Sequence, residues 1–323
     1  MTGQVETGSV VVGIDGSDRS RLALKWAADE ARRRSVPLLV LYAWISEPEN
    51  PPAWFEPGTS PGSSGQAVID DAVGLVATRH PSLAVQGRAI EWPAAMVLTS
   101  ASRSAGLLVV GARGLGGFRE LLLGSVSDQC IQYAHGPVAV VHGGSDDPPA
   151  ASPKPRLVVG IDGSPGSFRA LRWALEEARI RQASVEAVFA WHYPALYSVV
   201  MGPVETYRSA ADEIVAAVTA HATDLAPELA FRAVSEARPT VPALLEASRG
   251  ADLLVVGSQG HGSFHDALLG SVAHRCARHA RCPVVVVRPR ILEEGGEGRS
   301  PRWTRVTGDH IRTKSVLTTG PGR

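Results

Sequence analysis

A short apolar run closed by glycine, isoleucine and aspartate appears twice in the chain, as VVVGID at 10–15 and LVVGID at 157–162. Unbroken apolar runs of this length, bounded by turn residues, predict strands buried on both faces of a parallel sheet. Ser17 and Ser164 stand where a helix N-cap belongs, and Pro165 falls at a first helical position. Helices carrying Trp26 and Trp173 follow. PLLVLYAW (37–44) and VEAVFAW (185–191) predict second strands. Pro-rich loops at 47–62 and 194–203 lead into helices near 64–79 and 205–224. LAVQGRAI (83–90) and LAFRAV (229–234) are less apolar and predict strands toward a sheet edge, with helices around 94–104 and 242–249 after them. LLVV (107–110 and 253–256) predicts a fourth strand, and VAVVH (138–142) or VVVVR (284–288) a fifth.

The duplication extends over nearly the whole chain. Asp15, Trp26 and Trp44 fall on Asp162, Trp173 and Trp191, and Gly111, Gly124 and Pro137 fall on Gly257, Gly270 and Pro283. Two similar domains are expected, at 8–143 and 157–290, joined by a Pro-, Gly- and Ser-rich linker at 144–156 and followed by a tail at 291–323. Alternating strands and helices need right-handed crossovers, so each domain reads as a doubly wound α/β unit with a five-stranded parallel sheet. Ligands of such sheets sit beyond the carboxyl ends of the strands, where strand order reverses.

Composition narrows the partners. The 323 residues carry 32 basic and 32 acidic side chains, which leaves no overall field to draw the chain to nucleic acid or an anionic membrane. No apolar run nears the roughly 18 residues that span a bilayer, and MTGQVETGSV lacks the form of a signal peptide. A cytoplasmic location without membrane insertion is the expectation. Cys130, Cys276 and Cys282 show no metal-ligand spacing and read as small buried hydrophobes.

The candidate chemistry lies after the fourth strands. Each copy fits G-x-x-G, nine residues, then G-S: Gly111, Gly114, Gly124 and Ser125, then Gly257, Gly260, Gly270 and Ser271. Glycines let a ligand approach the backbone, and a helix opening at Gly-Ser turns N–H groups and partial positive charge toward phosphate oxygens. Ordinary loop glycines are the bland alternative. The repetition of the spacing, after equivalent strands and before equivalent helices, argues for phosphate. Asp15 and Asp162, after the first strands, either accept hydrogen bonds from a ribose or adenine, or cap the next helix and shape its turn. Ala43 and Ala190, at the second-strand ends, offer backbone groups to a base edge.

GIDGS, the glycine spacing, and the closing GPVAVV or CPVVVV resemble the universal stress protein family, and the whole resembles its tandem-domain bacterial members. The resemblance covers about residues 8–290. It implies a Rossmann-like fold of the adenine-nucleotide alpha hydrolase kind, strand order 3-2-1-4-5, and binding of ATP, with or without Mg2+. The residues it implies are Gly13, Asp15, Ala43, Gly111, Gly114, Gly124, Ser125, Val126 and Ser127. In the second copy they are Gly160, Asp162, Ala190, Gly257, Gly260, Gly270, Ser271, Val272 and Ala273. Ala273 lacks the hydroxyl of Ser127, so weaker hold on a terminal phosphate is expected there; Arg113 against Gln259 is a second difference. The resemblance also implies pairing at the fifth-strand edge, hence a homo-oligomer.

Neither G-x-x-x-x-G-K-[ST] nor, in the first strand–helix turn, G-x-G-x-x-G is present. No constellation for phosphoryl transfer recurs in both copies. Binding rather than turnover is expected, at most with slow ATP hydrolysis, and nucleotide occupancy would act on the oligomer or a regulatory protein partner. A nucleotide-independent scaffold, pairing through fifth strands between domains or chains, is the competing reading. His261 and His265 invite a metal or acid–base role, but the first copy carries nothing matching, which favours a solvated loop. Trp303 among arginines in the tail is a possible docking motif within a segment whose composition favours disorder.

Overall fold

The computed structural model describes residues 5–45, 65–114, 123–142, 155–192, 204–260 and 269–289. Half one runs β1 (Val10–Ile14), α1 (Asp18–Arg34), β2 (Leu38–Trp44), α2 (Gly65–Arg79), β3 (Val85–Glu91), α3 (Ala94–Ala101), β4 (Leu107–Gly111), α4 (Ser125–Tyr133) and β5 (Val138–Val141). Half two repeats this as β6 (Arg156–Ile161), α5 (Pro165–Arg181), β7 (Ser184–Trp191), α6 (Val204–Leu225), β8 (Phe231–Ala237), α7 (Thr240–Ala247), β9 (Leu253–Gly257), α8 (Ser271–His279) and β10 (Val284–Val287). The expected caps are realised: Ser17 and Ser164 cap α1 and α5, and Pro165 opens α5.

Strand order in half one is β3-β2-β1-β4-β5, and half two has the same order as β8-β7-β6-β9-β10. All pairings within a half are parallel. Val10, Val11 and Val12 are wholly buried, as are Leu107, Leu108 and Val109 beside them. Helices α1 and α2 cover one face of the half-one sheet, α3 and α4 the other. Each side chain so enclosed stabilises by roughly 1.5–3 kcal/mol. The less apolar β3 and β8 take the two outer ends.

The halves form one ten-stranded sheet, joined where β5 and β10 run antiparallel with Val138 opposite Val286, Ala139 opposite Val285 and Val140 opposite Val284. The pairing expected at the fifth-strand edge is thus made between the two halves of one chain. The hydrogen-bonding edge of each fifth strand is spent on the other inside the same chain, so neither remains open for strand addition by a second copy. Of the two possibilities for scaffold pairing, between domains or between chains, these strands take the first.

Polar contacts near the seam respect the same approximate two-fold symmetry. Arg288 Nη1 donates to the Ile131 carbonyl at 2.8 Å, and His142 Nε2 lies 2.8 Å from the Ala277 carbonyl. Farther along, the ends of α1 and α5 exchange charges. Glu30 accepts from Arg34 Nε and Arg181 Nη2, each at 2.5 Å, while Glu177 accepts from the same two guanidiniums. Both carboxylates are fully buried. Arg34 lies over the Trp173 ring and Arg181 over the Trp26 ring, so each cation is also faced by an aromatic of the other half. Burial alone would raise the Glu30 carboxyl, but Arg181 and Arg34 outweigh it and hold Glu30 below the ordinary carboxylate range.

Candidate functional site

Because β1 and β4 are neighbours, as are β6 and β9, the aspartate turn and the glycine turn of each half open at one crevice. The aspartates first serve their own turn. Asp15 Oδ1 accepts from the Ser17 N–H at 3.0 Å, and Asp162 Oδ1 from Ser164 at 3.0 Å. Gly16 and Gly163, at φ +84° and +83°, make the sharp bend between aspartate and cap. The turn-shaping role is therefore real, but it engages one oxygen of each carboxylate.

The second oxygen faces the glycine turn. A Cβ at Gly114 would lie 2.0 Å from Asp15 Oδ2, and one at Gly260 would lie 2.3 Å from Asp162 Oδ2. Only hydrogen fits there while the carboxylate holds its place. The strand-end glycines are also closely met: a Cβ at Gly111 would lie 3.2 Å from the Arg113 carbonyl, and one at Gly257 only 2.7 Å from that of Gly166.

Beyond the turn, Gly124 and Gly270 are the N-caps of α4 and α8, and neither helix start has a side-chain cap. Their own N–H groups donate to Ala112 and Ser258 carbonyls, each at 2.7 Å. Ser125 and Ser271 are exposed, Val126 and Val272 half-buried, and Ser127 and Ala273 buried in the first turn. A bare main-chain helix start beside a glycine cradle suits an anion. Ala43 and Ala190 each lie one residue past the last β1–β2 or β6–β7 pair, Ile14 with Tyr42 and Ile161 with Phe189. Their backbones thus stand at the mouth of the crevice.

Two groups of expected site residues have other work. The Ser127 hydroxyl donates to the Gly111 carbonyl at 2.5 Å, tying α4 to the end of β4. What Ala273 lacks is this internal tie, not an outward hydroxyl. Gly13 and Gly160 meet the other face of the sheet: a Cβ at Gly13 would strike Leu98 at 2.6 Å, and one at Gly160 would lie 3.0 Å from Leu244. They let α3 and α7 pack closely. His261 and His265 lie outside the described residues, as do the Pro-rich loops and the tail.

Two neighbours went unread in the sequence. Gly166 presses on the glycine turn of half two, since a Cβ there would lie 2.2 Å from the Gln259 carbonyl; half one has Arg19 at that position. A glycine in the first turn of a helix was the available signal. Tyr42, on β2, has its hydroxyl pushed up by burial and by the charge of Asp15. Half two carries Phe189 there.

Among the described residues, no three His, Cys, Asp or Glu side chains stand together as a metal site. Cys130 and Cys276 are buried with thiols pushed up to about 12, and Cys282 to about 11, which makes them inert packing residues. No described helix is long and apolar enough to cross a membrane.

Residues 7–142 and 155–288 each match the Universal stress protein family. A universal stress protein of Mycolicibacterium smegmatis is 35% identical over 295 residues, covering 87% of this chain and 97% of the relative. Universal stress protein Rv2623 of Mycobacterium tuberculosis is 32% identical over 291 residues, covering 86% and 96%. The crystal structure of a universal stress protein from Archaeoglobus fulgidus superposes at TM-score 0.61 and 17% identity, over 90% of this chain and 99% of that one, a likeness of fold. With the family matched once in each half and its tandem relatives aligned nearly end to end, the chain belongs to the universal stress protein family and carries two of its domains.

Proposed function

We propose that each half, taken as the domains 8–143 and 157–290, binds ATP in the crevice between its first and fourth strands. Nucleotide occupancy then regulates a protein partner in a stress response. The observation that carries this is the meeting of Gly114 with Asp15 and of Gly260 with Asp162, at a spacing that excludes even a methyl group. In this reading Gly111, Gly114, Gly124 and Ser125 seat the phosphates on main-chain N–H groups, as do Gly257, Gly260, Gly270 and Ser271. Asp15 or Asp162 turns its second oxygen to the ribose, and the backbone at Ala43 or Ala190 meets the base. Any Mg2+ arrives with the nucleotide. ATP must displace the contact between aspartate and glycine turn to enter, so binding and loop position are linked.

Calorimetry on the full chain tests this, with an expected two ATP per chain, one after Gly114→Val, and none after Gly114→Val with Gly260→Val. The melting transition of each apo variant controls for folding. Absence of ATP binding by the unaltered protein, with no adenine nucleotide released on denaturing it, overturns the proposal.

A further inference from the structure

Between the first two turns of α1 and residues 67–75 of α2 lies a cavity of about 280 Å³, lined by Ile14, Leu24, Val68, Ala72 and Leu75 and reaching Gly16. Arg21 and Asp71 also line it, and their side chains meet at 3.1 Å with more than half of each in solvent. The repeat shows what half two has at the same places: Phe168 for Arg21, Ile214 for Val68, Val218 for Ala72 and His221 for Leu75. Phe168 packs against the core there, its ring centroid 4.6 Å from that of His221. Half two thus supplies from its own chain an aromatic ring and bulkier aliphatic groups at the positions that line a cavity in half one.

That correspondence indicates the chemistry of a ligand. We propose that the half-one cavity binds a small molecule built on a single aromatic ring, seated as Phe168 is seated in half two. The aliphatic lining takes the ring, and the Arg21 guanidinium, held by Asp71, lies against its face. This site is separate from the nucleotide crevice and does not rest on the ATP reading. Its approach to Gly16 brings it one residue from the Asp15 turn.

The probe is 4-fluorobenzyl alcohol, titrated into the full-length protein and followed by fluorine NMR. One saturable equivalent per chain is expected. Arg21→Phe with Val68→Ile, Ala72→Val and Leu75→His copies half two and should weaken binding about tenfold or more, the loss of a ring's apolar contact. Phe168→Ala, which empties the matching place, should raise the count to two. Lack of saturable binding by the unaltered protein overturns the proposal, as does undiminished affinity in the fourfold variant. If that variant does not fold, the Phe168→Ala count decides, and a count that stays at one is equally fatal.

Discussion

Half one and half two share strand order, caps and glycine spacing, yet they diverge in side chains at the crevice and at the seam. At the crevice, half one sets Arg19 and Arg113 where half two sets Gly166 and Gln259. The half-two turn is correspondingly tighter, with main chain against main chain at Gly166 and Gly257. At the seam, His142 of half one corresponds to Arg288 of half two, and Asp128 to its own contact, His274, at 3.0 Å. The backbone chemistry was kept in duplicate, whereas the charges at Arg19, Arg113, Asp128 and His142 were not. Two copies held in one molecule need not remain identical to remain paired.

The sharpest way to break the comparison is through the buried charge cluster that both halves contribute to equally. Glu30→Ala should destabilise by about 3–5 kcal/mol, because it leaves buried guanidiniums short of a partner. Glu177→Ala should cost about the same, since each carboxylate bridges both arginines. Urea unfolding reads both, and an unshifted midpoint for either would mean that the four charges do not act as a unit.

Next comes the difference in crevice charge. If Arg113 favours a triphosphate in half one, Arg113→Gln should weaken that site about five- to tenfold and bring the two affinities together. High salt should narrow the gap in the unaltered protein. Two calorimetric affinities that are equal from the start would remove the charge distinction.

A smaller effect is expected from pH. Burial lowers the His142 pKa, against the raising effect of the Ala277 and Cys282 backbone bonds. The unfolded chain therefore takes up this proton first as pH falls. The stability contributed by neutral His142 is complete above about 6.5 and is lost as pH drops from there through the lowered folded value. His142→Arg, copying half two, should flatten that part of the stability curve. Smallest of all, Asp128→Asn should cost a few tenths of a kcal/mol, because both partners are a third or more exposed. A larger loss would assign that contact more of the seam than its solvent exposure allows.

The fold was largely legible because its signals are local. Runs such as LLVV, short and bounded by turn residues, fit strands buried on both faces; Ser17 and Ser164 cap helices next to themselves in sequence, and the weaker apolarity at 83–90 and 229–234 marked the outer strands. The joining of β5 to β10 was not legible, since the sequence offers the same edge to a neighbouring domain or a second chain. Glu30, Arg34, Glu177 and Arg181 look like the solvated charges of two surface helices, and only the approach of α1 to α5 buries them. At the crevice, residue type was readable but direction was not. Gly13 and Gly111 are both strand glycines, and the sheet face each turns to decides that one admits Leu98 while the other borders the turn. The sequence shows the Ser127 hydroxyl but not its acceptor, which lies sixteen positions back in the chain.

The antiparallel seam has a consequence for how such a protein can change over generations. In an assembly of identical subunits, any replacement beside the rotation axis confronts its own duplicate, so an introduced acid meets an acid. Here the same replacement occurs once, and a compensating base can arise at the matching codon of the other repeat. Asp128 opposite His274 is a pairing open to a fused gene and closed to two copies of a single one.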